Sequence, residues 1–407
     1  MTHRLDRREF LTSVGALIGG TTASLVLGGC SDPDPSRYNE ADIALLAEQQ
    51  RRERAQSGKG PFGIQRFKGY RGLAELPWFE LDANGKLRCV DESIPRAIDM
   101  HCHFGMSVLF EPKLDLQART ERVRHLLDCD ATDPGCDLDL DIYINGNFTE
   151  PALEELRYES VSQGLWGSDS ARTQTIPNLL EEMDATRVEK AMILPIAFNF
   201  PFGDDLAENW SDAIRETRTS SRLIPGASVH PRDDRRIEQL EAFAAAGARV
   251  VKLHPTMQAF YPDEPDAMEI YEAADRLGMI IFYHGGRAGI EPESRHRYAM
   301  PRHYEGALAT FPNLPFVFGH AGARDGEAML ELGLRYENAW FDIHGQGVTS
   351  LDKIIRRTGG ERMLFGTDWP FYHLAATLAK VLIVTDGGDR SDIRHAILRG
   401  NAERLLS

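Results

Sequence analysis

The chain has 407 residues with 42% hydrophobic and 27% charged side chains, which is ordinary for a folded globular protein and excludes collagen-like and wholly disordered classes. Its 62 acidic and 46 basic residues give a formal net charge of −16. Nucleic acids and anionic membrane surfaces both require a net basic face, so the composition argues against these partners and favours a small-molecule substrate.

The first 29 residues have the pattern of an export signal. Adjacent Arg7 and Arg8 resemble a twin-arginine motif, and the apolar run Val14–Leu27 is followed by a lipoprotein-like cleavage box that ends at Cys30. A retained membrane anchor is the alternative, but this run is short and rich in glycine for a membrane span. We therefore predict an exported periplasmic or cell-envelope protein that touches the membrane only through a lipid on Cys30.

Residues 30–75 are polar and carry a dense run of charge, which predicts a tether followed by a short surface helix. The segment Trp78–Val90 places Asn84-Gly85 between two apolar stretches, as a two-residue β-hairpin turn does. The hairpin opens a region, residues 76–407, that we predict to be one domain.

Eight short apolar runs follow, and amphipathic helical stretches separate most of them. Strands that alternate with helices predict a parallel sheet, and the spacing of about one strand–helix unit indicates a TIM-like (β/α)8 barrel of the α/β class. The runs are Ala97–Met100, Lys190–Leu194, Leu223–Val229, Ala248–Leu253, Met279–Tyr283, Pro315–Phe318, Ala339–Ile343 and Arg362–Phe365.

The gap after the first run is far longer than one strand–helix unit, which predicts an insertion over residues 105–185. Insertions at this place often act as active-site lids. Cys129 and Cys136 flank an acidic, turn-rich stretch within it and are candidates for a small disulfide loop in an oxidising compartment. Cys89 and Cys102 are expected to be unpaired core residues.

The histidines concentrate where catalytic groups of barrel enzymes collect. Seven of the 13 histidines follow one of the predicted strands within three residues, namely His101, His103, His230, His254, His284, His320 and His344. The carboxyl ends of barrel strands converge on one mouth. A cluster of imidazoles there requires a metal ion or a very polar substrate to offset the cost of desolvation.

Four of these positions suit a single divalent ion. Residues i and i+2 of a strand share a face, so His101 and His103 can both reach one ion. Asp368 follows the eighth strand, which neighbours the first in a closed barrel, and His284 adds a third imidazole from the fifth. Three nitrogens and one carboxylate leave an open position for water. Imidazole-rich sites favour zinc, with manganese or iron as alternatives.

Six motifs resemble the amidohydrolase-related family of metal-dependent barrels, which also holds aminocarboxymuconate-semialdehyde decarboxylase-like enzymes. The resemblance implies a mononuclear site with His101, His103, His284 and Asp368 as ligands and His320 as the unligated catalytic histidine. The motifs are Ile98–His103, Val251–Pro255, Phe282–Gly286, Val317–Gly322, Leu364–Pro370 and Gly400–Leu405.

Further residues near the strand ends are candidate substrate contacts: Lys252, His254, Arg287 and Trp369. Arg295, His296 and His303 crowd the loop after the fifth strand and could contact an anionic substrate, although a solvated charge run is the alternative. His230 and His344 are expected to line the pocket. A carbamylated Lys252 that bridges two metal ions is a second alternative.

The site predicts hydrolysis of an amide, lactam, lactone or ester by a metal-activated water, with His320 and Asp368 as the proton-transfer residues. Non-oxidative decarboxylation with the same ligands is the first alternative. A non-catalytic lipoprotein that binds metal or solute is the second. A homo-oligomer is compatible with either enzyme.

Overall fold

The computed structural model describes residues 38–107, 114–129, 136–200, 205–387 and 390–407, with the side chains of 160–166 also left out. The predicted export signal and the predicted lipidation site Cys30 lie outside the described residues. Within the described ranges, no helix combines the length and the apolar character that crossing a membrane requires.

Thirteen short strands are present in the described residues. They are β1 Arg66–Lys68, β2 Phe79–Leu81, β3 Leu87–Cys89, β4 Ala97–Cys102, β5 Asp137–Asp139, β6 Val188–Ile193, β7 Leu223–Pro225, β8 Ala227–Ser228, β9 Val250–Leu253, β10 Ile280–Tyr283, β11 Phe316–Phe318, β12 Ala339–Asp342 and β13 Met363–Leu364.

The α-helices of the same residues are α1 Glu40–Gln56, α2 Glu150–Trp166, α3 Ile176–Ala185, α4 Leu206–Glu216, α5 Arg236–Ala245, α6 Pro255–Gln258, α7 Pro265–Arg276, α8 Glu305–Thr310, α9 Gly326–Arg335, α10 Val348–Thr358, α11 Leu374–Val384, α12 Ser391–His395 and α13 Asn401–Leu406.

Parallel strands form the predicted (β/α)8 barrel. Strand β4 pairs with β6 and β6 with β7, while β8 to β13 form a second parallel run in chain order. Gly226 separates β7 from β8, and its N–H donates to the carbonyl of Ile193, so the third barrel strand belongs to both runs. The Met100 N–H donates to the Phe365 carbonyl at 2.8 Å and joins the eighth strand to the first. The fold prediction is therefore confirmed.

The predicted apolar runs coincide with the barrel strands because both faces of these strands are buried. Strands β9, β10 and β11 are buried at every position. Inner and outer faces both pack against apolar neighbours, so the sequence reads as a continuous apolar run rather than an alternation. Because the eight barrel strands run parallel, their carboxyl ends lie at one mouth.

The small hairpin is present, but its turn differs from the predicted one. Strands β2 and β3 pair antiparallel with Leu81 opposite Leu87. The Asp82 carboxylate accepts the N–H groups of Asn84 and Lys86, and Gly85 adopts a φ of 73°. The longer loop forms because an aspartate side chain can take the place of a backbone acceptor in a turn.

The insertion after β4 is joined to the N-terminal part of the chain. Strand β5 pairs antiparallel with β1, and a disulfide links Cys129 to Cys136. Cys89 and Cys102 are unpaired. The β5–β1 pairing connects the insertion to an element that precedes the barrel in sequence, while the disulfide closes a loop within the insertion.

Helix α1 packs beside the loops at the barrel mouth. Asn39 caps the helix, since its side chain accepts the N–H groups of Ala41 and Asp42. The Asp42 carboxylate binds Arg302 at 3.1 Å, and Glu53 binds Arg324 at 3.2 Å. The helix thereby contacts the loops that follow the fifth and sixth barrel strands.

Candidate metal centre

The seven histidines that follow the barrel strands are all buried at the mouth: His101, His103, His230, His254, His284, His320 and His344. Asp342 and Asp368 are buried with them. Imidazoles and carboxylates with so little exposure require partners that repay their desolvation.

His101 and His103 are each held through the outer ring nitrogen. The Nδ1 of His101 lies 2.7 Å from Asp342 Oδ2, and the Nδ1–H of His103 donates to the Leu194 carbonyl at 2.6 Å. Their Nε2 atoms lie 3.4 and 3.1 Å from Asp368 Oδ1. Two inner nitrogens and one carboxylate thus converge on the same point.

His284 and His320 contact each other. The Nδ1 of His284 lies 3.0 Å from Nε2 of His320, and the Nε2 of His284 lies 3.2 Å from Glu291 Oε1. The main chain of His320 has a φ of 58°, and its N–H donates to Asp342 at 3.0 Å. The Nδ1 of His320 is buried without a hydrogen-bond partner among the described residues.

Lys252 and His254 complete the inner wall on the fourth barrel strand. The Lys252 Nζ lies 2.9 Å from His101 Nε2, and burial lowers the pKa of this lysine to about 8. The His254 ring stacks on His284 with centroids 4.0 Å apart. Both predicted substrate contacts therefore lie beside predicted metal ligands.

The carboxylate of Asp368 is ionised although it is buried. Burial alone would raise its pKa, but the hydrogen bond with His103 and the electrostatic interaction with His344 outweigh burial and lower it. The pKa of His320 is lowered well below its usual range by burial and then by the neighbouring His284, so this imidazole is neutral. The cluster combines a proton acceptor with neutral nitrogen donors.

The donor atoms of this cluster fit a divalent ion. One atom each of His101, His320 and Asp368 lies within 4.8 Å of the others. Neutral imidazoles with a carboxylate are the donor set of zinc and related ions. The unpartnered nitrogens of His320 and His344 also indicate that a binding partner completes the site.

The tightest donor group differs from the predicted ligand set. It contains His101 and Asp368 as predicted, but it also contains His320, which was expected to remain unligated. His103 joins the group through Asp368, and His284 joins it through His320. The five side chains form one connected group, so the geometry places both His284 and His320 beside the other donors.

Two predicted substrate contacts, Arg287 and Trp369, are buried against internal partners. Arg287 is fully buried, its guanidinium bonds Asp325 at 2.6 Å, and it also donates to the Asp42 carbonyl of α1. Trp369 is fully buried, and its Nε1–H donates to Glu182 at 3.2 Å. Both side chains therefore have internal partners among the described residues, and their contact with a substrate stays a prediction.

The histidines of the loop after the fifth barrel strand also contact other protein side chains. His303 Nδ1 lies 3.0 Å from Asp263, and His296 lies beside Tyr38 and Glu291. His344 lies 3.7 Å from Asp368 Oδ2. His230 lines a cavity of about 300 Å³ with Ser228 and Asp233.

Three carboxylates of the site were absent from the sequence-based candidates: Asp99, Asp342 and Glu291. Asp99 accepts the Thr367 hydroxyl at 2.6 Å, and Asp342 holds His101. Asp99 and Asp342 each lie two residues before a histidine of the mouth, so the two-residue period of a strand is a signal that could have found them. Glu291 lies in a loop, where no such period applies.

Solved structures share the barrel. A TIM-barrel protein from Bordetella bronchiseptica aligns at 20% identity and a TM-score of 0.51, over 74% of this chain and 98% of its own. The 5-carboxyvanillate decarboxylase of Sphingomonas paucimobilis aligns at 16% identity and a TM-score of 0.51, over 76% and 98%. The 5-carboxyvanillate decarboxylase of Novosphingobium aromaticivorans, complexed with manganese, aligns at 15% identity and a TM-score of 0.50. The alignment covers 77% of this chain and 97% of the decarboxylase. At these identities the likeness shows the fold.

No curated protein matches the chain in sequence. The amidohydrolase family profile matches residues 98–407, which is more than half of the chain and spans all eight barrel strands. The members of this family are metal-dependent enzymes, and the buried cluster lies at the mouth of the matched barrel. The chain therefore belongs to the amidohydrolase family.

Proposed function

We propose that the protein is a metal-dependent hydrolase that cleaves a C–N or C–O bond in an amide, lactam, lactone or ester. The observation that carries this proposal is one buried group in which donor atoms of His101, His320 and Asp368 lie within 4.8 Å of one another, while their surroundings lower the pKa of both Asp368 and His320. Hydrolysis requires a group that accepts a proton from water and another that serves the leaving group, and these two residues have those properties.

The ligands in this proposal are His101, His103, His284 and Asp368. A bound divalent ion supplies Lewis acidity, and zinc is our first choice with manganese or iron as alternatives. Asp368 accepts the proton of the attacking water through the carboxylate oxygen that is not bonded to His103. His320 receives that proton at Nδ1, which has no other partner among the described residues, and passes it to the leaving group.

Lys252 and His254 are the proposed substrate contacts. Lys252 brings a cationic group to the cluster, because its Nζ lies 2.9 Å from His101 Nε2. Such a cation suits a small substrate with an anionic group. We further propose that the protein acts in the cell envelope after export, with Cys30 as a lipid anchor.

Non-oxidative decarboxylation is the second candidate. The position of Lys252 favours it, because an ammonium group beside the metal ligands could hold the carboxylate of a substrate. The two 5-carboxyvanillate decarboxylases with the same fold make aromatic carboxylates a reasonable class to test. In that reaction His320 would protonate the carbon atom that loses carbon dioxide.

The test is a substrate panel of amides, lactams, lactones, esters and aromatic carboxylates, with acid release and carbon dioxide measured in parallel. The proposal predicts acid release without carbon dioxide, loss of turnover on chelation, and recovery on addition of metal. The exposed His395→Asn variant should match the unaltered protein, whereas His320→Asn should lose turnover. Carbon dioxide from the aromatic carboxylates would favour the second candidate, and no turnover would favour a binding protein.

A further inference from the structure

The loop carboxylate Glu291 is placed to control the imidazoles of the metal centre. We propose that Glu291 is a positioning residue that fixes the proton positions of His284 and, through it, of His320. The proposal rests on the metal-dependent function above, because its consequence is the nitrogen that each imidazole offers to a metal ion or a substrate.

The surrounding main chain holds the Glu291 carboxylate rigidly. Its Oε1 accepts the N–H of Ala288 at 3.0 Å, and its Oε2 accepts the N–H groups of Gly289 and Ile290 at 2.8 and 3.2 Å. Gly289 has a φ of 86°, which lets these successive N–H groups point to one side. Only 5% of the side chain is exposed. The loop therefore presents a fixed anion to His284.

This fixed anion determines which nitrogen of His284 carries the proton. An ionised carboxylate can only accept, so the contact of 3.2 Å between Glu291 Oε1 and His284 Nε2 places the proton on Nε2. The Nδ1 of His284 then keeps its lone pair. In a metal site, a carboxylate behind a histidine sets the ligating nitrogen in the same way and increases its basicity.

The same rule extends to His320 in the metal-free protein. The lone pair on His284 Nδ1 lies 3.0 Å from Nε2 of His320, so this Nε2 must donate the proton of the contact. The Nδ1 of His320 is then the bare nitrogen, and it is the atom that has no partner among the described residues. One chain of hydrogen bonds thus runs from Glu291 through His284 to His320.

The Glu291→Gln variant breaks this chain at its origin while preserving side-chain size. A glutamine amide has one acceptor oxygen where the carboxylate has two. In either orientation its NH2 group therefore faces N–H groups of the backbone or the imidazole, whose hydrogen bonds the carboxylate accepted. The matched control is Glu293→Gln, an exposed carboxylate two residues further along the same loop. Thermal unfolding of both variants shows whether each is folded at the temperature of the measurements.

Two measurements test the proposal. Nitrogen-15 spectra of histidine-labelled, metal-free protein should show His284 protonated on Nε2 and His320 on Nε2, and Glu291→Gln should change both signals. Competition with a chromophoric chelator should show that Glu291→Gln lowers the affinity for Zn²⁺ or Mn²⁺ by about 10- to 100-fold, the usual effect of losing such a partner. Glu293→Gln should change neither.

Unchanged spectra and unchanged metal affinity in a folded Glu291→Gln variant would overturn the proposal. If only the unfolding temperature were lower, Glu291 would stabilise its loop without positioning the imidazoles. If Glu291→Gln is unfolded, proton positions other than these in the unaltered protein would still overturn it. Failure of the unaltered protein to bind either metal would contradict the proposed function, which the spectra of the metal-free protein do not depend on.

Discussion

Asp342 joins three parts of the metal centre. Its Oδ2 lies 2.7 Å from His101 Nδ1 and accepts the His320 N–H at 3.0 Å, while its Oδ1 accepts the His344 N–H at 3.0 Å. Burial raises its pKa to about 7 despite these donors. One side chain thus orients a predicted ligand and fixes the backbone of the proposed acid/base residue.

We expect Asp342→Asn to destabilise the protein and to weaken metal binding. The amide cannot accept all three contacts, and an unsatisfied buried donor costs about 1–3 kcal/mol. Loss of the partner behind His101 should lower metal affinity about 10- to 100-fold. Urea unfolding and metal competition measure both effects, with the exposed Asp392→Asn as control. Equal midpoints for Asp342→Asn and the unaltered protein would show that Asp342 has no such role.

The sequence predicted individual residues of the site unevenly, for a physical reason. His101, His103, His254, His284 and His320 were found because strand ends converge on one mouth. The partners of Arg287 could not be predicted, because the sequence does not show that Asp325 and α1 surround it. Partners that are distant in sequence decide whether a charged side chain faces a substrate or an internal counterion.

Among the elements, helix α1 forms contacts with the rest of the fold that a simple tether would not form. The Glu53 Oε1 accepts the Tyr143 N–H at 2.6 Å, and its Oε2 binds Arg324, whose guanidinium lies 5.2 Å from the centre of the Tyr143 ring. Burial raises the pKa of Glu53. The helix therefore connects the insertion to the loop after the sixth barrel strand.

Glu53→Gln should lower the free energy of unfolding by about 1–3 kcal/mol, because an amide NH2 would face the Arg324 guanidinium. Glu48→Gln is the matched control in the same helix. Glu48 binds Arg51 and Arg52 at the surface, where solvent screens such pairs and they contribute little to stability. Chemical denaturation measures both variants. Equal effects would mean that α1 does not stabilise the barrel mouth.

The barrel elements were predictable because their signal is local. Each buried parallel strand reads as an apolar run, so all eight were located. The pairing of β5 with β1 could not be predicted, since it joins segments about 70 residues apart through only three residue pairs. The interruption of the third strand at Gly226 also has no local signal strong enough to separate it from a continuous strand.

For the whole molecule, the buried imidazoles determine how the metal-free protein responds to pH. Burial lowers the pKa of five of them below the ordinary value of 6.5: His101, His230, His254, His320 and His344. The unfolded chain binds protons at these residues below about pH 6.5, whereas the folded protein does not. Their contribution to stability is therefore present above pH 6.5 and is lost as the pH falls.

Two buried carboxyls act in the opposite direction. The pKa values of Asp99 and Asp342 are raised by burial to about 7, so their contribution is present at low pH and is lost as the pH rises through 7. The imidazoles are more numerous, so we expect the free energy of unfolding to fall from pH 6.5 to pH 4. His230→Asn should reduce this dependence, because the pKa of His230 is lowered to about 4. A metal-free protein that is more stable at pH 4 than at pH 6.5 would contradict this expectation.

We propose that this amidohydrolase-family barrel binds one divalent ion through His101, His103, His284 and Asp368, with His320 as an acid/base residue. The most direct test is the metal-to-protein ratio of His320→Asn after dialysis, measured by elemental analysis beside the unaltered protein. We predict about one ion per chain in both, with kcat of the variant lower by about 10²-fold. A metal-free but folded His320→Asn variant would contradict the account and assign His320 to the ligands.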